Sequence, residues 1–204
     1  MLLLHLSDIH FRKGEVGTSM DPNANLRNEL LRDAEEMCGR IGAVPDAVLV
    51  SGDLAFAAHP DEYGYALGWL ERLCLACGTT LASVFAVPGN HDVVRSVAGR
   101  ALVQSLHRDI KNASTGALDP IMAGLLQDVE ASRLLYEALQ PYNVFAGQFF
   151  CDLLPPDRTI ASRDLVLNDG SILRMSGLNR AGDLFVDPAS FQLLRERGVE
   201  HLVM

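Results

Sequence analysis

The chain has 204 residues, 49% apolar and 21% charged, with a formal net charge of −9; this suits one α/β domain with a sizeable core. The acidic balance argues against extended nucleic acid as a partner, since no broad basic face is available to grip a phosphate backbone, yet it leaves room for a phosphorylated small molecule whose charge bound metal ions would offset. No apolar run approaches the roughly 18 residues of a membrane helix, and the short Met-Leu-Leu-Leu opening reads as a strand and not a secretory signal, so no membrane partner and a cytoplasmic location are expected.

Leu2 to Leu6 is the first apolar run, and Ser7-Asp8-Ile9-His10 follows it. Residues 11–23 are polar and hold Gly14, Gly17 and Pro22, which predicts a loop. From Asn25 to Ile41 the apolar residues Leu26, Leu30, Ala34, Met37 and Ile41 recur at helical spacing, and Gly42 stands where a helix C-cap belongs. Ala47 to Val50 is a second strand, ending in Ser51-Gly52-Asp53. Pro60 to Cys77 is a second helix with Tyr63, Leu67, Leu70, Cys74 and Cys77 on one side and Gly78 as its cap. Leu81 to Val87 is a third strand, ending in Pro88-Gly89-Asn90-His91-Asp92. Strand, loop and helix in repetition predict a mainly parallel sheet covered by helices. The polar motifs fall at the carboxyl ends of its strands, where open α/β sheets hold their ligands.

Residues 94–150 break this rhythm. Helical patterns near Val97 to Ile110 and Ile121 to Leu139 flank a turn-rich stretch from Asn112 to Gly116. This is a helical insertion, either a cap beside the site or a pair of helices that only packs on the sheet. After Pro155-Pro156, Thr159 to Leu167 and Ser171 to Leu178 read as strands joined by an Asn168-Asp169-Gly170 hairpin turn. A loop from Asn179 to Asp187, a helix from Pro188 to Arg197 and a strand starting at Val199 complete the pattern. The four cysteines, Cys38, Cys74, Cys77 and Cys151, include one C-x-x-C with no second pair or nearby histidines, so they are expected to be buried and reduced.

Three fragments, Asp8-x-His10, Gly52-Asp53 and Gly89-Asn90-His91-Asp92, each follow a strand. Singly, each residue has an ordinary use: Asp8 and Asp53 as helix N-caps, Asn90 in a turn, His10 and His91 as solvated loop residues. Jointly, they supply oxygen and imidazole donors at three successive strand ends. Such donors suit Mn²⁺, Fe or Zn²⁺, and a pair of such ions offsets the charge of a phosphodiester and acidifies water for in-line attack.

In these motifs the whole chain resembles the calcineurin-like metallophosphoesterase superfamily. The resemblance implies layered β sheets flanked by helices, and hydrolysis of a phosphodiester or phosphomonoester, with a nucleotide as one substrate class. It implies two divalent ions, Mn²⁺ first and Fe or Zn²⁺ as alternatives. Asp8 and His10 would bind the first ion, Asp53 would bridge both, and Asn90 would bind the second. His91 would contact the phosphate and assist the leaving oxygen, with Asp92 orienting His91. His5 is expected in the core, His59 in solvent, and neither they nor His107 and His201 as ligands.

The family pattern continues with a strand and a ligand histidine, then G-H-x-H; this sequence has neither. It is therefore expected to be the N-terminal part of a longer chain, with a partner-supplied site or a non-catalytic interaction module as alternatives. The stretch from Gly52 to Tyr63, with Glu62-Tyr63 at its end, resembles class III cyclic nucleotide phosphodiesterases, and also phosphoesterase domains of larger bacterial signalling or defence proteins. DNA-repair nucleases of the superfamily fit the acidic balance less well. The G-D-x-V-D-R-G of its protein phosphatases is not matched from Ala55 onward.

Overall fold

The computed structural model describes residues 1–155, 157–167, 169–177 and 199–204. Two three-stranded sheets are flanked by helices. In the first sheet, β1 (Leu3–Leu6), β2 (Ala47–Ser51) and β3 (Val84–Val87) run parallel in that order, with Leu3 opposite Ala47 and Val48 opposite Val84. Each connection is a helix: α1 (Ala24–Ile41) between β1 and β2, and α2 (Pro60–Ala76) between β2 and β3. Residues Ala47 to Val50 and all of β3 are buried, as their unbroken apolar sequence demands for strands covered on both faces. Leu81–Ser83, expected to begin the third strand, is instead a single 3₁₀ turn.

Both helices end as expected. Gly42 takes φ 68° and its N–H bonds to the carbonyl of Cys38; Gly78, at φ 74°, follows the last turn of α2. The inward side of α1, however, differs from the expected stripe. Leu26, Met37 and Ile41 are exposed, whereas Arg27 and Ala34 are buried. Arg27 is drawn in because Asp21 pairs with it below the surface and because its guanidinium stands 4.8 Å over the Phe11 ring. Its carbonyl also accepts Trp69 Nε1 at 3.3 Å, tying α1 to α2. Trp69 is fully buried among core residues of α2 that include Leu70 and Leu73.

The insertion contains α3 (Arg95–Ala98), α4 (Ala101–Asn112), α5 (Thr115–Gln127), α6 (Val129–Tyr136) and α7 (Gln140–Ala146). The expected single helix from Ile121 to Leu139 is split at Asp128, which caps α6 by accepting the N–H of Ala131 at 2.8 Å. The middle helices gather a second core with Val93, Ile110, Met122, Leu135 and Leu139. The last helix joins the main one: Phe145 stacks on Tyr63 at 5.2 Å, and Tyr142 donates to the carbonyl of Ala86 at 3.0 Å.

The second sheet holds β4 (Ala161–Val166) antiparallel to β5 (Ile172–Gly177), with β6 (Val199–Val203) parallel to β5. The turn between β4 and β5 has Gly170 at φ 82° and its N–H on Leu167 O. Arg163 on β4 fastens this sheet to the first by donating to the carbonyls of Ala82 and Val84 at 3.0 and 2.8 Å, and to that of Phe149. Gly177 lies so close that a Cβ there would come within 2.2 Å of Val87. Pro156, Asn168, the expected loop from Asn179 to Asp187 and the expected helix from Pro188 to Arg197 lie outside the described residues.

Candidate metal centre

The loops leaving β1 and β2 stay zipped after the sheet ends. Asp8 N donates to Gly52 O at 3.3 Å, His10 N to Asp53 O at 3.0 Å, Phe11 N to Leu54 O at 2.8 Å and Phe56 N back to Phe11 O at 3.0 Å. This extension places Asp8 and His10 beside Asp53. All three hold left-handed backbone conformations, with φ 57°, 51° and 54°. Asp and His enter that region more readily than most residues, but it still stores strain, and such strain clusters at functional sites.

The loops leaving β2 and β3 touch through glycine. A Cβ on Gly52, itself at φ 95°, would stand 2.8 Å from Gly89 Cα; one on Gly89 would stand 2.1 Å from Asp53 Oδ1. Hydrogen bonds then lock the contact. His91 N donates to Asp53 Oδ1 at 2.8 Å. Asp92, fully buried, accepts from Gly89 N and Asp53 N on Oδ2, both at 2.9 Å, and from Ala55 N at 3.1 Å and Tyr63 Oη at 2.9 Å on Oδ1. Burial pushes the Asp92 carboxyl above its usual range, and the nearby Asp53 charge adds to this against the pull of the donors. The Tyr63 hydroxyl is pushed far up, first by burial and then by the Asp92 charge, so it stays a donor.

Glu62 does the same work on the other side. Nearly fully buried, it accepts from Lys13 N at 3.0 Å, Ala57 N at 2.9 Å and His59 N at 3.1 Å. The last of these bonds belongs to a capping box on α2 with His59 as N-cap, and Pro60 follows at the first turn. The Glu62-Tyr63 pair therefore holds the loops that carry the strand-end motifs through one helical turn. Its role could not be read from sequence, since the groups that Glu62 on α2 accepts from are backbone N–H groups, which carry no side-chain signal.

The imidazole of His91 is oriented by the carbonyl of Phe56, 2.7 Å from Nδ1. The expected orienting bond from Asp92 is replaced by this one, because the Asp92 carboxylate is taken up by backbone donors and Tyr63. A hydrogen on Nδ1 leaves Nε2 to meet a ligand. The ring stands 4.8 Å from that of His10, edge to face.

His10, Asp53 and His91 each bring a ligand atom to within 4.8 Å of the others. Asp8 Oδ1 lies 3.8 Å from His10 Nε2, on a carboxylate that is 66% exposed, and Asn90 is exposed at the start of the 3₁₀ turn Asn90–Asp92. Nδ1 of His10 is buried without a hydrogen-bond partner, a costly state for a polar atom that has no other ligand. Two imidazoles and a carboxylate so grouped fit a borderline divalent cation.

The remaining histidines stand apart. His5 is exposed, contrary to the core position expected, because β1 turns it outward where its Nε2 meets Ser51 Oγ at 2.6 Å. His59 caps α2, His107 is buried in α4 and His201 lies on β6. All four cysteines are free thiols, three of them buried, and burial lifts Cys74 to about 11 and Cys77 to about 12. Among the described residues no helix is long and apolar enough to cross a membrane.

Comparison with known proteins gives two relatives of this arrangement. A "probable cyclic nucleotide phosphodiesterase" of Rhodococcus erythropolis is 34% identical over 93 residues, which is 44% of this chain and 28% of that protein. A glycerophosphodiester phosphodiesterase of Enterobacter lignolyticus is 34% identical over 92 residues, 45% of this chain and 30% of that protein. The matched stretch thus spans less than a third of either relative. The family model for calcineurin-like phosphoesterases matches residues 1–202, and with it the strand-end loops that carry Asp8, His10, Asp53 and His91: the chain belongs to the calcineurin-like phosphoesterase family.

Proposed function

We propose that this chain serves the metal-dependent hydrolysis of a small-molecule phosphodiester, with a nucleotide as the leading substrate class. The observation that supports this most is the convergence of His10, Asp53 and His91 at the carboxyl ends of three parallel strands. Asp8 and His10 would hold one divalent ion, Asp53 would be shared, and Asn90 would hold a second; Mn²⁺ suits these donors, as do Fe and Zn²⁺. Ions bound there supply positive charge against the diester's own and make a water acidic enough to attack near neutral pH. Further donors, from outside the described residues, would complete both coordination spheres.

The protein's own part is placement. The Asp92 and Glu62 carboxylates fix the loops, so that Asp53 does not have to be ordered when substrate arrives. His91, held at Nδ1 by Phe56, would turn Nε2 toward a phosphate oxygen and, when the ring carries two protons, release one to the departing alkoxide. The names of the matched relatives, both diesterases, favour a diester over a monoester.

The test is release of p-nitrophenolate from bis(p-nitrophenyl) phosphate with added Mn²⁺, in the wild-type chain and in Asp53→Asn. Mn²⁺-dependent release that falls at least about a hundredfold in the variant supports the reading. Equal rates in both would overturn it, and a chain that binds no Mn²⁺ would favour a non-catalytic module.

A further inference from the structure

Three nitrogen-bearing side chains stand on the rim of the metal centre and take no part in it. Arg12 and Lys13 lie just beyond His10, and His59 precedes α2. The Phe56 ring joins Arg12 to the centre. It lies 6.2 Å from the His10 ring and 5.2 Å from that of His91, and the Arg12 guanidinium carbon stands 3.6 Å over it. A guanidinium held over a ring keeps N–H groups free to meet a phosphate edge. One of these, Nη1, is 3.0 Å from Glu15, and the Arg12 side chain is 44% exposed.

Lys13 Nζ is 2.9 Å from His59 Nε2. That contact lacks an acceptor. His59 Nδ1 accepts the backbone N–H of Asp61 at 3.1 Å, so the hydrogen of a neutral ring sits on Nε2, and an ammonium has only donors. Two donors face each other, and the Asp61 carboxylate, 3.1 Å from Lys13 Nζ, satisfies one of them. An anion accepting from both would relieve the conflict. The present partners, Glu15 and Asp61, form half-exposed single ion pairs, which exchange readily for a better ligand. On a chain of net charge −9, an anion that displaces these two carboxylates meets two cations otherwise neutralised by them.

We propose that Arg12, Lys13 and His59 form a subsite for a second phosphate on the non-reacting arm of the substrate. This rests on reading the neighbouring centre as a phosphodiesterase site. It narrows the substrate class to diesters that carry a further phosphate, such as a phosphorylated nucleotide, in preference to simple dialkyl diesters.

The subsite can be tested without turnover. The full chain, freed of metal with a chelator, is titrated with inorganic phosphate while the ring signals of its six histidines are followed by NMR. The His59 signals shift and saturate, and in Arg12→Gln/Lys13→Gln the affinity falls about tenfold or more, as expected for losing charge-assisted contacts. His59→Gln, which keeps both cations, gives a smaller loss. Phosphate that shifts only His10 and His91, or binds the double variant as it binds wild type, overturns the proposal. With Mn²⁺ present, the KM advantage of a diester bearing a terminal phosphate over bis(p-nitrophenyl) phosphate shrinks in the double variant; an unchanged ratio counts against the subsite. A chain that hydrolyses no diester would sink the reading of the metal centre and leave the phosphate titration standing.

Discussion

Asp92 holds Asp53 in place: the N–H of Asp53 donates to the buried Asp92 carboxylate at 2.9 Å, and the Asp53 carboxylate in turn accepts the N–H of His91. An acid that meets no ligand thus sets the position of the one that would. Asp92→Ala leaves three backbone N–H groups and the Tyr63 hydroxyl without their acceptor. At about 1–3 kcal/mol for each buried unsatisfied group, with partial relief by water, the expected loss is about 3–5 kcal/mol in urea unfolding. Tyr63→Phe removes one donor of four and should cost about 1 kcal/mol. An alanine variant within 1 kcal/mol of wild type would show that the clamp is not needed.

The glycine contact between the two loops predicts a different signature. Gly89→Ala drives a methyl into Asp53 Oδ1, so the Asp53 carboxylate must turn away. Mn²⁺ affinity, measured calorimetrically, should fall at least tenfold, as it does when the support of a ligand is disturbed. Gly52→Ala adds a left-handed backbone to a backbone overlap and should destabilise the fold by about 2 kcal/mol or more. Unchanged Mn²⁺ binding in Gly89→Ala would refute the placement of Asp53.

Metal removal should read out in stability as well as activity. A cation that binds only the folded chain raises its unfolding free energy by about 2.7 kcal/mol at a hundred times its Kd. Thermal melts should therefore rise with added Mn²⁺ and drop back with chelator, while Asp53→Asn melts at one temperature throughout. A variant that responds to Mn²⁺ as strongly as wild type would place the ion elsewhere.

Thiol chemistry offers an independent check on the core. Cys38 is half-buried, and Cys74, Cys77 and Cys151 are buried. Burial raises Cys74 to about 11 and Cys77 to about 12, so the reactive thiolate is scarce near neutral pH and grows only as pH approaches those values. Iodoacetamide at pH 8 should modify Cys38 first, with the other three protected until denaturant is added. Mass spectrometry that finds Cys74 labelled in the native chain as fast as Cys38 would contradict the packing of α1 on α2.

In the first sheet β2 and β3 were legible because fully covered parallel strands must be short apolar runs, and all three strand ends are marked by polar motifs. The register of α1 was not, since the pairing of Arg27 with Asp21 and the cover of Phe11 depend on the fold of the preceding loop. Asp128 reads as one more polar residue in a helical run, yet its backbone N–H closes one helix on Gly124 O and its side chain opens the next. In the site, the motif residues could be named, but the Phe56 carbonyl could not, because a backbone oxygen leaves no trace in side-chain chemistry. Glu62 and Tyr63 showed only as a dipeptide resembling one branch of the family; the bonds from Lys13, Ala57 and His59 to Glu62, and from Tyr63 to Asp92, supply its physical reason.

Ala58 and Phe150 also take left-handed backbones, but those of Asp8, His10 and Asp53 belong to the candidate metal centre. Glycine would relax each of them at once, so a library of variants selected only for heat resistance should accumulate glycine or asparagine at these positions and lose metal binding as it does so. Selection that retains aspartate and histidine there must be acting on something other than durability, and sequencing the survivors of such a screen would make the tension between endurance and chemistry directly countable.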